Sequence, residues 1–163
     1  MTRSPALLCA MAAPVLYAVV NLIALQMAAD SAGSYPRADD PFGDLLLGPL
    51  DRELGSARVW TFCFAVILAA EAACLAALHG RLNRRPGVAA VLPRAVAGVG
   101  YLLSLALVVE INPTSPFLEL NDDSALDRLV PSWHFPALVA VGVVTLVAVA
   151  AWLVGARRDD SAS

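Results

Sequence analysis

Residues 59–78 read VWTFCFAVILAAEAACLAAL, twenty positions of which Glu71 alone is charged. A bilayer's hydrocarbon core takes ~20 mostly apolar residues per helix, so this stretch has the length and texture of a membrane span. Three more segments on either side qualify: residues 5–28, 95–111 and 136–154. Pro14 inside the first removes a backbone donor and crowds the preceding turn, so a kink is expected there. The predicted fold is all-α: an integral membrane four-helix bundle made of two helical hairpins.

Composition points the same way. The chain is 59% hydrophobic and 15% charged, with a mean hydropathy of +0.70. Soluble domains have ~45–50% apolar and ~25% charged residues. A soluble fold of this length buries only ~70% of the surface its chain exposes, so lipid must accept the excess. The net charge of −3 excludes a nucleic-acid partner, which needs a basic face.

The first apolar segment is too long for the 7–15-residue core of a signal peptide. Leu8 also precedes Cys9 where a lipoprotein cleavage site has a small residue, so the segment is read as a retained helix. Cys9, Cys63 and Cys74 form no C-x-x-C pair and are read as small lipid- or helix-facing residues. Arginine supplies every basic side chain except the histidines, and it is unevenly spread. Arg3, Arg81, Arg84, Arg85, Arg94, Arg157 and Arg158 flank one side of the predicted spans. Arg37, Arg52, Arg58 and Arg128 flank the other, diluted by ten carboxylates: Asp30, Asp39, Asp40, Asp44, Asp51, Glu53, Glu119, Asp122, Asp123 and Asp127. Under the positive-inside rule both termini are cytoplasmic and the acidic loops face outward, in a bacterial-type plasma membrane. Trp60 and Trp133 close the two outer loops at headgroup level.

Those loops share a pattern: Pro-Phe, one residue, an acid and Leu at 41–45 and 116–120, then Leu-Asp-Arg at 50–52 and 126–128. Tyr17 and Asn21 correspond loosely to Tyr101 and Ser104. This matches an internal repeat about an axis along the membrane normal. Short helices lying at the interface are expected over 44–54 and 124–130, with leucines toward lipid and acids toward water. Asp51 and Asp127 pair either with their neighbouring arginines or across the pseudo-axis, Asp51 with Arg128 and Asp127 with Arg52.

Glu71 is the most informative single residue. A charge at mid-membrane costs ~2.5–3.5 kcal/mol, against ~0.3–0.6 kcal/mol returned by each large apolar neighbour. Glu71 must therefore be protonated, paired or turned to a wet interior. It is either a proton carrier or a neutral carboxyl bonded to another helix through Ser104 or Thr145. Glu110 closes the third span beside Asn112, and His134 follows Trp133 where the chain re-enters the membrane. Glu71, Glu110 and His134 are the candidate catalytic groups. Tyr17, Asn21, Tyr101, Asn112 and Trp133 are the candidate ligand-binding residues; Asn21, Gln26, Glu110, Asn112 and His134 fall at similar depth and would form a polar mouth above an apolar cavity. His79, among the basic flanks, is read as headgroup-facing.

Carboxylates at the Asp122-Asp123 and Asp127 spacing would share a helix face and hold Mg²⁺. Asn121-Asp122-Asp123 resembles one motif of membrane prenyltransferases over those few residues alone, and solvated loops are the simpler reading. No nucleotide loop, zinc spacing or nucleophile elbow appears, so no cofactor is expected. Small residues along the second and fourth spans, Gly142 and Thr145 among them, favour close helix packing or a homo-oligomer. The expected function is binding of a lipophilic ligand or a membrane-protein partner through the acidic outer face, with membrane lipid as the constant neighbour. The alternatives are an intramembrane isomerase or cyclase working by proton transfer on a lipid or isoprenoid, and a small proton-linked transporter.

Overall fold

The computed structural model describes residues 4–33, 43–82, 91–114, 126 and 129–161, with side chains over 4–32, 50–82, 91–114, 126 and 129–155. Five helices run through them: α1 (Pro5–Met11), α2 (Ala13–Gly33), α3 (Gly43–Leu82), α4 (Val91–Ile111) and α5 (His134–Ser161). Together they supply four segments long and apolar enough to cross a membrane: Pro5–Ala32, Leu50–Leu82, Val91–Ile111 and His134–Gly155. α1 with α2, α3, α4 and α5 pack as a closed ring, each against its chain neighbours and α5 back against the first span. This is the predicted four-helix bundle.

What holds the ring together is one seam per helix. The buried residues of α3 are Leu50, Leu54, Ala57, Thr61, Phe64, Leu68, Ala72 and Leu75, stepping by three and four. Those of α4 are Arg94, Gly98, Tyr101, Leu105 and Val108, and those of α5 run His134, Leu138, Val141, Thr145, Val149 and Trp152. A repeat near 3.5 residues keeps a seam facing its partners along a left-handed bundle. The opposite faces carry Leu16, Val19 and Ile23 of α2, Phe62, Val66 and Ile67 of α3, and Val143, Val144 and Val147 of α5, all exposed. Water could not tolerate so continuous an apolar exterior; lipid is its natural medium. Cys9, Cys63 and Cys74 lie on that exterior as free thiols.

The expected kink is a break. α1 ends at Met11, Ala12 forms a turn, and its N–H reaches back to the Cys9 carbonyl at 3.1 Å. The amide that Pro14 lacks is the one that would have bonded the Ala10 carbonyl. The Tyr101 hydroxyl on α4 donates to that carbonyl at 3.0 Å. A backbone N–H of the cap turn also bonds that carbonyl, so the Tyr101 hydroxyl is its second donor, supplied by a neighbouring helix. Tyr101→Phe should therefore cost about 0.5–1.5 kcal/mol, measured by unfolding in mixed micelles. In a Pro14→Ala background the cost should shrink, because the amide of residue 14 adds a further donor to the Ala10 carbonyl. An equal cost in both backgrounds would show that the hydroxyl and the break are unrelated.

α3 departs from the expected outline. The 44–54 stretch is helical as foreseen, but it continues without interruption into the span, and Pro49 falls inside the helix. At 1.5 Å per residue its 40 residues reach about 60 Å, well beyond a hydrocarbon core of ~30 Å. The reason lies in the seam. Leu50, Leu54 and Ala57 continue the register of Phe64 and Leu68, and they pack with Leu25, Ala28 and Ala32 of α2 and with Leu126. α2 and α3 thus extend as a paired stalk with its own small core, separate from the main core built around Tyr17, Phe64, Leu68, Tyr101, Leu105 and Trp152.

Leu50 and Leu126, matched in the proposed repeat, meet in the stalk core. Arg128 and Asp127 lie outside the described residues, as do Asp122, Asp123 and most of the 124–130 segment. The cross-pairing with Asp51 and Arg52, which are both exposed, and the Mg²⁺ alternative therefore fall there too.

Candidate functional site

Between the two apolar cores lies a polar layer made of Asn21, Thr61 and His134 from three spans and Asn112 just past the end of α4. On α2, Asn21 sits one seam step from Tyr17 of the main core and one from Leu25 of the stalk core. On α3, Thr61 sits likewise between Phe64 and Ala57. Asn112 follows Val108 by four residues, and His134 precedes Leu138 by four. Asn21, Thr61 and Asn112 are 0% exposed and His134 is 1% exposed. The layer is sealed.

Its hydrogen bonds tie three helices together. Asn21 Nδ2 donates to the Tyr17 carbonyl at 2.8 Å, which turns Asn21 Oδ1 toward His134 Nε2 at 3.1 Å. An amide oxygen only accepts, so Nε2 carries the imidazole proton in this contact. Asn112 Nδ2 donates to the Tyr17 hydroxyl. Asn112 Oδ1 accepts from the Thr114 amide at 3.0 Å and from the Thr114 hydroxyl at 2.6 Å. Thr114 Oγ1 also stands 3.2 Å from Asn21 Oδ1. Thr61 Oγ1 has no hydrogen-bond partner among the described residues.

Thr114 is the member that the sequence did not bring forward. Asn112-Pro113-Thr114 lies just past the end of α4, where proline cannot extend a helix. The Asn112 side chain folds back onto the amide two residues on, as asparagine does in tight turns. An Asn-Pro pair after an apolar run signals such a turn; the burial of its side chains does not follow from that signal.

The other candidates lie elsewhere. Glu71 is half-buried on α3 and accepts a bond from Ser104 Oγ on α4 at 2.9 Å, while its buried Oε2 has no partner among the described residues. Thr145, the other partner foreseen for Glu71, donates to the Val141 carbonyl at 2.7 Å instead. Tyr101 is occupied at Ala10. Trp133 is 38% exposed, edge-on to the His134 ring with centroids 6.4 Å apart. Trp60 is exposed and tilts over Phe64. Gln26, at the same end, donates to Asp30 on its own helix at 2.9 Å. His79 is half-buried and accepts the Trp152 indole N–H at 3.1 Å, so it faces the bundle more than the headgroups. Among the described residues no hydrogen bond joins any two of Glu71, Glu110 and His134.

Glu110 belongs to a different feature. A groove of about 540 Å³ runs down the outside of the bundle between α4 and α5. Its walls are apolar: Leu102, Leu105 and Val109 from α4, Phe135, Leu138 and Leu146 from α5, with Gly142 on its floor. Glu110 lines the end near the polar layer and is exposed. From Phe135 to Leu146 the groove follows α5 for about 16 Å at 1.5 Å per residue, close to half of a ~30 Å hydrocarbon core. A Cβ added at Gly142 would meet nothing within 4 Å, so this glycine leaves space rather than drawing helices together.

No family model, curated protein or solved structure matches this chain. Chemistry has to be judged from the side chains alone. The polar layer is closed, and its hydrogen bonds join α2, α5 and the turn that follows α4. The groove is open along its length to whatever surrounds the bundle. Among the described residues no cluster of three or more His, Cys, Asp or Glu stands close enough to hold a metal.

Proposed function

We propose that this chain is a multi-pass membrane protein that binds a lipid-like molecule, one chain of which lies in the groove between α4 and α5. The observation that carries this is the groove itself: apolar walls, a length of about one leaflet, and, among the described residues, the Glu110 carboxylate at one end. Its volume falls within the ~300–1,000 Å³ of small-molecule sites. Because the groove opens sideways, an occupant would enter from within the bilayer without crossing a headgroup layer. The arginine distribution supports both termini lying in the cytoplasm of a bacterial-type cell, with the α2–α3 stalk and the Glu110 end of the groove outside.

The enzyme reading rests on Glu71, Glu110 and His134, and among the described residues the bonds are Glu71 with Ser104 and His134 with Asn21. A binding role needs only the groove.

Gly142→Leu tests this cleanly, since the new side chain has room at its root and would fill the groove. The variant should fold as the parent does. When protein is released from nanodiscs into a native mass spectrometer, the retained lipid should fall about tenfold or more, an affinity loss of ~1.4 kcal/mol or greater. Retention equal to the parent's would remove the groove as the site.

A further inference from the structure

If the groove holds a lipid, the structure also bears on which lipid, and this inference rests on that reading. Among the described residues that line the groove, Glu110 is the ionisable one. It lies in the last turn of α4, where unpaired carbonyls make the helix end electronegative. That turn contains no basic residue. Among the described residues Glu110 has no ion pair. A carboxylate at this end of a helix adds to the dipole instead of opposing it, so the groove mouth holds two sources of negative potential above apolar walls.

We propose that the bound lipid carries a primary ammonium headgroup. Its N–H groups donate charge-assisted bonds to the Glu110 carboxylate and to carbonyls at the electronegative end of α4. One acyl chain runs beneath along Leu105, Leu138, Gly142 and Leu146. An anionic headgroup is repelled by the same potential. A quaternary ammonium keeps the charge but has no N–H to donate, so it binds less well than a primary one.

The test uses the full chain in nanodiscs with equimolar phosphatidylethanolamine, phosphatidylcholine and phosphatidylglycerol of identical acyl chains, and native mass spectrometry of the lipid retained. Phosphatidylethanolamine should be enriched about fivefold over phosphatidylglycerol, with phosphatidylcholine between them. Glu110→Gln should collapse that ratio toward unity, and Glu110→Lys should invert it. Equal retention of the three lipids by the parent, or a preference that survives both substitutions, overturns the headgroup assignment and leaves the groove standing. Absence of retained lipid in the parent, or retention indifferent to Gly142→Leu, brings down groove and headgroup together.

Discussion

Replacing Asn112 with alanine is expected to destabilise the bundle by about 2–3 kcal/mol, a large effect for one exchange in a membrane protein. Interhelical hydrogen bonds in membranes average only ~0.6 kcal/mol, with a maximum near 1.7, because an unfolded span finds other partners. Asn112 is unusual in serving three groups at once: the Tyr17 hydroxyl, the Thr114 amide and the Thr114 hydroxyl. Alanine strands all three inside a layer that solvent does not reach. Part of the loss is recoverable, since the Thr114 hydroxyl can turn to Asn21 Oδ1, 3.2 Å away. That keeps the figure below a simple sum. Reversible unfolding in mixed micelles, followed by tryptophan fluorescence, measures it. Glu110→Gln, two residues earlier and exposed, should change stability by less than ~0.5 kcal/mol. If Asn112→Ala were equally mild, the layer would have to be wet, and its role as a clasp between α2, α4 and α5 would be lost.

The second large effect is expected at Gly98. A Cβ there would come within 2.9 Å of Val149 Cγ1 and 3.6 Å of the Trp152 ring. Valine branches at Cβ and has little rotamer freedom on a helix, so it cannot swing aside. α4 and α5 approach closely because this one seam position has no side chain, the arrangement that small residues permit between membrane helices. Gly98→Leu should cost about 3 kcal/mol or more by overpacking, exceeding the ~1 kcal/mol of helix propensity that losing a glycine returns. The same exchange at Gly142, on the same helix pair but facing the groove, should be neutral or stabilising. Similar unfolding midpoints for the two variants would mean that the α4–α5 contact is looser than the structure has it.

The two glycines show where inference from the chain alone reaches its limit. Both stand in apolar helices beside apolar neighbours, and Gly142 was the one read as a packing residue. In a soluble helix the buried face is marked by its contrast with a polar one. Here both faces are apolar, so contrast vanishes, and the inner face is marked only by occasional small or polar side chains. The seam from Leu50 through Phe64 to Leu75 joins what the sequence divided into an interfacial helix over 44–54 and a span over 59–78. It crosses the charged run Asp51-Arg52-Glu53, which lies outside the apolar stretch that marks the span.

Glu71 shows the opposite balance. Cost alone demanded a partner for a mid-membrane carboxyl, and Ser104 was one of two named for it; the structure supplies that bond. Asn21, Asn112 and His134, all named as candidates from the sequence, do converge, but in a sealed layer with Tyr17 and Thr114. Glu110 and Trp133 remain outside it.

What the sequence determined by itself was the number of spans, their approximate limits and the helical class. Transfer into lipid is summed residue by residue along a local stretch, so no distant contact enters that sum. The tertiary structure alone decided which polar side chains meet, which glycine is crowded and where the groove opens. Those depend on the relative rotation and height of helices far apart in the chain, to which lipid, as apolar as the helices themselves, contributes almost no preference.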